Sequence, residues 1–236
     1  MPAAPAAAAG TKVASVAGMR YPKRLKKMRR SRRGGADLTL PLVGVGVGAA
    51  VAFAVLARRV ARHETAHADG QVRKHVPKRR GPALKRAAQL VGPLGKPAVH
   101  APVAAMLAAY TRPSTKAGAA AIAASSAASK GVSMALERLL PHRRPPAGGR
   151  KPSEPSFPSG HSLETAAVAL TTAWVLAREG KANPWLAAPA ALAVPLLSGA
   201  GRVYLDRHWS SDVVAGWLAG TAVAAGCGVM YERGRR

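Results

Sequence analysis

Three stretches of this chain contain no charged residue and are long enough to cross a hydrocarbon core as helices: Leu38 to Ala57, Ala182 to Gly201 and Val213 to Tyr231. At about 1.5 Å of rise per residue, some twenty apolar residues span the roughly 30 Å of a bilayer. The first stretch carries Gly44, Gly46 and Gly48, which weaken an isolated helix but are frequent where membrane helices pack closely. The last contains no proline and reads as an unbroken helix. Three further apolar segments are weaker. Pro97 to Thr111 contains His100 and Pro102, Ala117 to Leu136 is rich in Ala and Ser around Lys130, and Thr165 to Ala177 is bracketed by Glu164 and Arg178. Alone, each fits a buried helix of a soluble protein. Beside three strong spans they read as further spans carried by their neighbours. The pattern predicts an all-α integral membrane bundle of about six transmembrane helices.

Composition sharpens this picture. The 236 residues include 36 Lys+Arg against 10 Asp+Glu, a formal charge of +26, yet 48% are hydrophobic, which excludes disorder along the whole chain. Only 4% are aromatic, few for the core of a soluble globule. Charge and apolarity are separated into blocks, as a membrane requires. Arg20 to Arg33 packs nine basic residues into fourteen positions without an acid. Residues 1–36 are expected to be a disordered basic tail and residues 37–236 the membrane domain. The Ala/Pro lead precedes the positive cluster, the reverse of a signal peptide's order. Residues 58–97 form a second basic stretch broken by Pro77, Pro82, Pro93 and Pro97. Both basic stretches are assigned to anionic membrane surface, with no catalytic role. On a six-span topology Lys+Arg divide nearly equally between the two faces, so the positive-inside rule gives no orientation.

Cys227 is the sole cysteine, which excludes a disulfide within the chain and a Cys-based zinc site. His63, His67 and His75 lie in the basic stretch without carboxylates at metal-ligand spacing, so no metal is expected there. Trp185, Trp209 and Trp217 fall near predicted helix ends and read as an interfacial belt.

The chemistry sits in three loops. The first ends in Arg143-Arg144-Pro145, the second is Pro158-Ser159-Gly160-His161 at the start of an apolar helix, and the third sets Arg202, His208 and Asp212 in the spacing R-x5-H-x3-D. Six spans put all three loops on one face, where two histidines, an aspartate and two arginines can converge. That set suits phosphoryl transfer through a phosphohistidine. A histidine held neutral, with one nitrogen open and the other donating a hydrogen bond, is a covalent nucleophile. Asp212 lies one turn after His208, within reach to accept that bond. His161 can protonate the departing alkoxide and later deprotonate water. Arginines bind the non-bridging oxygens, and Ser159 and Gly160 stand at a helix N-terminus, where amides and the helix dipole favour an anion. Taken singly, each feature has a plain reading: a surface His–Asp pair, a helix cap at Ser159 or Ser162, membrane-flanking arginines. Nothing plain requires all of them at these intervals.

These residues resemble the phosphatidic acid phosphatase type 2 superfamily, which includes lipid phosphate phosphatases and haloperoxidases. Its signature has three blocks: K-x6-R-P, P-S-G-H and S-R-x5-H-x3-D. Arg144-Pro145 matches the end of the first, Pro158 to His161 the whole second, and Arg202, His208 and Asp212 the third. The signature region runs over residues 130–212. The resemblance implies His208 as nucleophile, Asp212 as its orienting partner and His161 as general acid. Arg144, Arg202, Ser159 and Gly160 would form the phosphate pocket, with neither metal nor cofactor. It also implies a lipid phosphate as substrate, of phosphatidic acid or polyprenyl type, and residence in the cell (plasma) membrane among anionic lipids. Two positions depart from the pattern. Glu137 stands in the lysine slot, so that slot either turns away or is replaced by Arg138, and Gly201 stands where serine is usual.

Two rivals belong to other classes. A non-catalytic membrane protein of the same fold, binding anionic lipid, is favoured by Glu137. A nucleic-acid-binding protein would use the basic runs but leaves the three uncharged stretches without a purpose, so no nucleic acid is expected. Nothing in the sequence fixes the oligomeric state.

Overall fold

The computed structural model describes residues 37–76, 81–91, 116–140, 144–146 and 155–236, with a few isolated positions between 99 and 109. The basic tail, most of the segment 97–111 and Arg143 lie outside the described residues. Leu38–Arg236 forms one compact unit. It contains α1 (Thr39–Ala61), α2 (Ala66–His75), α3 (Pro82–Val91), α4 (Lys116–Leu139), α5 (Gly160–Arg178), α6 (Pro184–Tyr204) and α7 (Ser210–Gly234). No β-strand occurs among the described residues.

The three uncharged stretches become α1, α6 and α7, the three helices long and apolar enough to cross a membrane. Residues Val43, Val47, Val51 and Val55 of α1 and Trp185, Leu186, Leu196 and Leu197 of α6 are exposed. Apolar surface of that size has bilayer as its natural solvent. Helix α6 starts cleanly because the Asn183 side chain accepts from Trp185 N–H at 3.0 Å and Pro184 occupies the first turn. Helices α4 and α5 correspond to two of the three weaker segments. They are tolerated by packing, since α5 lies against α4, α6 and α7 and is buried along most of its length.

Small residues set the close approaches. A Cβ at Gly216 would stand 2.6 Å from Ser159 O and 2.8 Å from Ser162 Cβ, and one at Gly220 would collide with Leu163 O. These two glycines on successive turns let α7 press directly on the start of α5. On α4, Ser125, Ser129 and Ser133 recur every fourth residue and are all buried. Ser125 and Ser129 turn their hydroxyls onto carbonyls of their own helix, Ile122 O at 2.7 Å and Ser126 O at 3.1 Å. That leaves a thin polar stripe with no unmet donors at Ser125 and Ser129. Of the three glycines on α1 only Gly46 is used in packing: a Cβ added there would stand 3.2 Å from Ala225 Cβ.

The ends of the bundle are fixed differently. At the end where α5 and α7 finish, Arg178 forms a two-pronged ion pair with Glu232, at 2.7 and 3.0 Å. At the other end, Phe157 stacks on Phe53 of α1 with ring centroids 5.9 Å apart and packs with Val60, Ala215 and Leu140. Anchoring Phe157 there holds the backbone that leads into α5. Trp185 is exposed at the start of α6, as an interfacial residue should be. Trp217 is not: its Nε1–H donates to Pro195 O at 3.0 Å, so it ties α7 to α6.

Candidate active site

The C-terminal ends of α4 and α6 and the N-terminal ends of α5 and α7 meet at the Phe157 end of the bundle. His208 lies between α6 and α7 and is buried. Its Nδ1 is 2.9 Å from Ser156 O and 3.5 Å from Asp212 Oδ2. A carbonyl can only accept, so Nδ1 carries the proton and Nε2 keeps its lone pair. Arg144 Nη1 stands 3.5 Å from that Nε2 and donates to Arg207 O at 2.9 Å. The guanidinium is therefore fixed beside the nitrogen that would attack.

Asp212 is fully buried and does more than face the imidazole. Its Oδ2 accepts from Trp209 N–H at 3.0 Å, capping α7 one turn from the helix start. Its backbone carbonyl accepts from Ser159 N–H at 3.0 Å. Ser156 to Ser159 and His208 to Asp212 are thus joined at two points, Ser156 O to the imidazole and Ser159 N–H to Asp212 O. Ser159 precedes the first turn of α5, and Ser162 Oγ donates to its Oγ at 3.1 Å. The Ser159 amide is committed to Asp212 O, and the first helical bond of α5 runs from Leu163 N–H to Ser159 O, which puts the turn beginning at Gly160 at the positive end of the helix. His161 follows in that turn, half-buried, and its carbonyl accepts from Thr165 Oγ1 at 2.7 Å. Arg202 is buried at the end of α6. Its carbonyl accepts from Arg207 N–H at 2.9 Å, folding the chain back toward His208.

Burial pushes the His208 imidazole below the ordinary histidine range, because the charged form loses its hydration; the Asp212 carboxylate opposes this and Arg144 adds to it. The net effect keeps the ring neutral, the state a nucleophile needs.

The lysine slot resolves against turning away. Glu137 accepts from Ser133 Oγ at 3.3 Å, and a Cβ placed at Gly160 would lie 3.2 Å from Glu137 Oε1. The carboxylate therefore sits against the start of α5, where the helix dipole stabilises it. Arg138 is exposed at the end of α4, away from that contact. Lys130 pairs with the buried Glu164 at 3.6 Å, and Glu164 flanks the same Gly160. Positive charge thus reaches this corner from two turns earlier on α4.

Three contributors carry little or no sequence signal of their own. Ser156 acts through its carbonyl, which no side-chain pattern reveals. Asp69 and Arg73, in the second basic stretch, bond to Ser210, Ser211 and Asp206 on either side of His208. Their only trace in the sequence is an acid and a base four residues apart in a stretch otherwise poor in acids.

The family model described as PAP2 superfamily matches residues 115–236. The fold is similar to that of a transmembrane PAP2 type phosphatidylglycerolphosphate phosphatase from Bacillus subtilis. The TM-score is 0.70 at 22% identity, over 77% of this chain and 93% of that one. No curated protein matches the sequence. The match over residues 115–236 takes in Arg144, the Pro158–His161 block and the Arg202–Asp212 block, and the chain belongs to the PAP2 superfamily.

Proposed function

We propose that this protein is a membrane lipid phosphate phosphatase that works through a phosphohistidine on His208. His208 Nε2 attacks phosphorus while the bond to the lipid oxygen breaks, and His161 gives that oxygen its proton. Water then attacks phosphorus as the P–N bond breaks, His161 takes a proton from the water, and inorganic phosphate leaves with His208 neutral again. Arg144, Arg202 and the first turn of α5 hold the non-bridging oxygens. Asp212 and Ser156 O hold the imidazole in the reactive tautomer. The observation that carries this reading is the buried His208 ring, with Nδ1 on Ser156 O and Nε2 facing Arg144. A lipid-borne substrate, phosphomonoester or pyrophosphate, follows from the site's place at the ends of apolar helices, where an acyl or polyprenyl tail stays in the bilayer. The cell membrane, with its anionic lipids meeting the basic stretches, is the proposed location.

The test is phosphate release by purified protein from phosphatidic acid, phosphatidylglycerol phosphate, polyprenyl phosphate and polyprenyl pyrophosphate, each with and without EDTA. Release from at least one lipid, unchanged by EDTA, is expected. No release from any of them would refute the reading.

Glu137 favours a second reading, a degenerate member that binds anionic lipid without turnover. The two are separated by Glu137→Lys. In an active phosphatase, replacing the carboxylate beside Gly160 with an ammonium is expected to lower KM by roughly tenfold, since it removes repulsion from a phosphate dianion and adds attraction. Activity present in the variant and absent from the wild type would favour the degenerate member.

The lowered proton affinity of His208 sets the acid side of the pH profile. Protonation consumes the Nε2 lone pair, so activity falls as pH drops through the His208 pKa, which burial moves down from the usual value of about 6.5. The expected profile of kcat/KM, corrected for ionisation of the substrate phosphate, therefore keeps its plateau below pH ~6.5. An acid limb above that point would show a solvated, ordinary histidine.

A further inference from the structure

Helix α2 lies outside the region matched by the family and is mostly exposed and basic, yet it buries one residue, Asp69, which is 4% exposed. Asp69 Oδ1 accepts from Ser210 Oγ at 2.6 Å and from Ser211 N–H at 2.9 Å, and Oδ2 accepts from Ser211 Oγ at 2.7 Å. One turn further along the same helix, Arg73 donates to both carboxylate oxygens of Asp206, at 3.0 and 3.2 Å. Asp206 is buried and has φ of 56°, the left-handed region that residues other than glycine seldom occupy. Positions i and i+4 of a helix share one face. A single face of α2 therefore holds the chain two residues before His208 and again two and three residues after it. The cleft between them is lined by Asp69, Arg73, Pro145, Asp206, His208 and Ser210, among others.

We infer that Asp69 and Arg73 are positioning residues for the nucleophile, and that α2 is a clamp on the loop that carries His208. Three physical effects act together. The two-pronged Arg73–Asp206 pair holds a backbone turn that is unfavourable by itself. The Asp69 carboxylate accepts from the Ser211 amide in the first turn of α7 and meets the positive end of its dipole. Asp212 caps Trp209 N–H from inside, so two carboxylates stand at the N-terminus of α7. The inference rests on the phosphohistidine reading for its catalytic consequence, whereas the clamp itself is a statement about the loop.

The test uses the full-length protein in detergent with four variants: Asp69→Asn, Arg73→Ala, Arg73→Lys and Asp206→Asn. Asn at 206 keeps a side chain that tolerates the left-handed backbone, and Asn at 69 keeps two acceptor sites, so both are expected to fold. For Asp69→Asn, Asp206→Asn and Arg73→Ala, kcat is expected to fall roughly tenfold to a hundredfold with KM within about twofold, the pattern of a misplaced nucleophile. Arg73→Lys, which can still pair with Asp206, is expected to recover most of the loss. Amide hydrogen exchange over residues 205–211 is expected to quicken in the three impaired variants, whether or not any substrate is turned over. Unchanged exchange there would overturn the clamp. Quickened exchange with unchanged kcat would overturn its catalytic role, and a rise in KM alone would make α2 a substrate-binding element instead. Failure of the wild type on every lipid would count against the phosphatase reading and leave the exchange measurement to decide the clamp.

Discussion

Replacing His208 with asparagine is expected to leave the protein folded and lower kcat for phosphate release by about 10⁴-fold or more. The asparagine amide can donate to Ser156 O as Nδ1–H does, so the bond at 2.9 Å that ties the loop to the segment before α5 has a successor. What disappears is the Nε2 lone pair beside Arg144. Without it, water must attack the lipid phosphate directly, helped only by the arginines and the α5 N-terminus. Such residual binding and charge stabilisation accounts for a modest part of catalysis in enzymes that use a covalent intermediate. KM is expected to stay near its wild-type value, because the groups that hold the phosphate are untouched. The check is a kinetic comparison of the two purified proteins on the same lipid phosphate. Activity within tenfold of the wild type would exclude His208 as nucleophile.

His161→Asn is expected to give the second largest loss, roughly 10²- to 10⁴-fold in kcat on a lipid phosphate. Its signature is more telling than its size. An alkoxide leaving group needs a proton as the P–O bond breaks, whereas a nitrophenolate leaves well without one. With an aryl phosphate the first step should therefore survive in the variant, while the second, in which His161 takes a proton from water, remains slow. A burst of nitrophenolate equal to the enzyme concentration is the expected result, followed by slow turnover. Equal impairment on alkyl and aryl phosphates, with no burst, would assign His161 to positioning instead of proton transfer.

Much of the architecture was legible in the sequence because crossing a membrane depends on composition over about twenty residues, and hydropathy reads composition directly. Thus α1, α6 and α7 coincide with the three uncharged stretches. Helices α4 and α5 were legible only by association. Their polar residues are tolerated through contacts that composition cannot show, such as Lys130 with Glu164 and the serines of α4 with their own backbone. Arg144, Ser159, His208 and Asp212, singled out by spacing, lie together, since loops at one face of a bundle bring such blocks together. Spacing also put Glu137 in the lysine slot, but whether its side chain turned away depended on a rotamer held by Ser133. Arg138, offered as a replacement, is exposed. The partners of Asp69 and Arg73 are more than 130 residues away along the chain. No local pattern reports such a pairing, which is why the second basic stretch reads from sequence as membrane-surface charge alone.

The +26 charge is therefore divided among three roles. Most of it is assigned, as a proposal, to an anionic bilayer face. Arg144 stands beside His208, Arg202 is buried at the end of α6, and Arg73 pairs with Asp206 on the loop between α6 and α7. Changing these three should affect catalysis far more than removing several lysines from the surface stretches.

The most direct test is to trap the covalent intermediate. His161→Asn is mixed with an aryl phosphate carrying labelled phosphorus and quenched in alkali, which preserves a P–N bond, and the labelled peptide is then identified. The account predicts about one labelled phosphate per protein, on His208 and absent from a His161→Asn/His208→Asn double variant. Nitrophenolate release with no phosphate bound to the protein, or a label on any other residue, would contradict it.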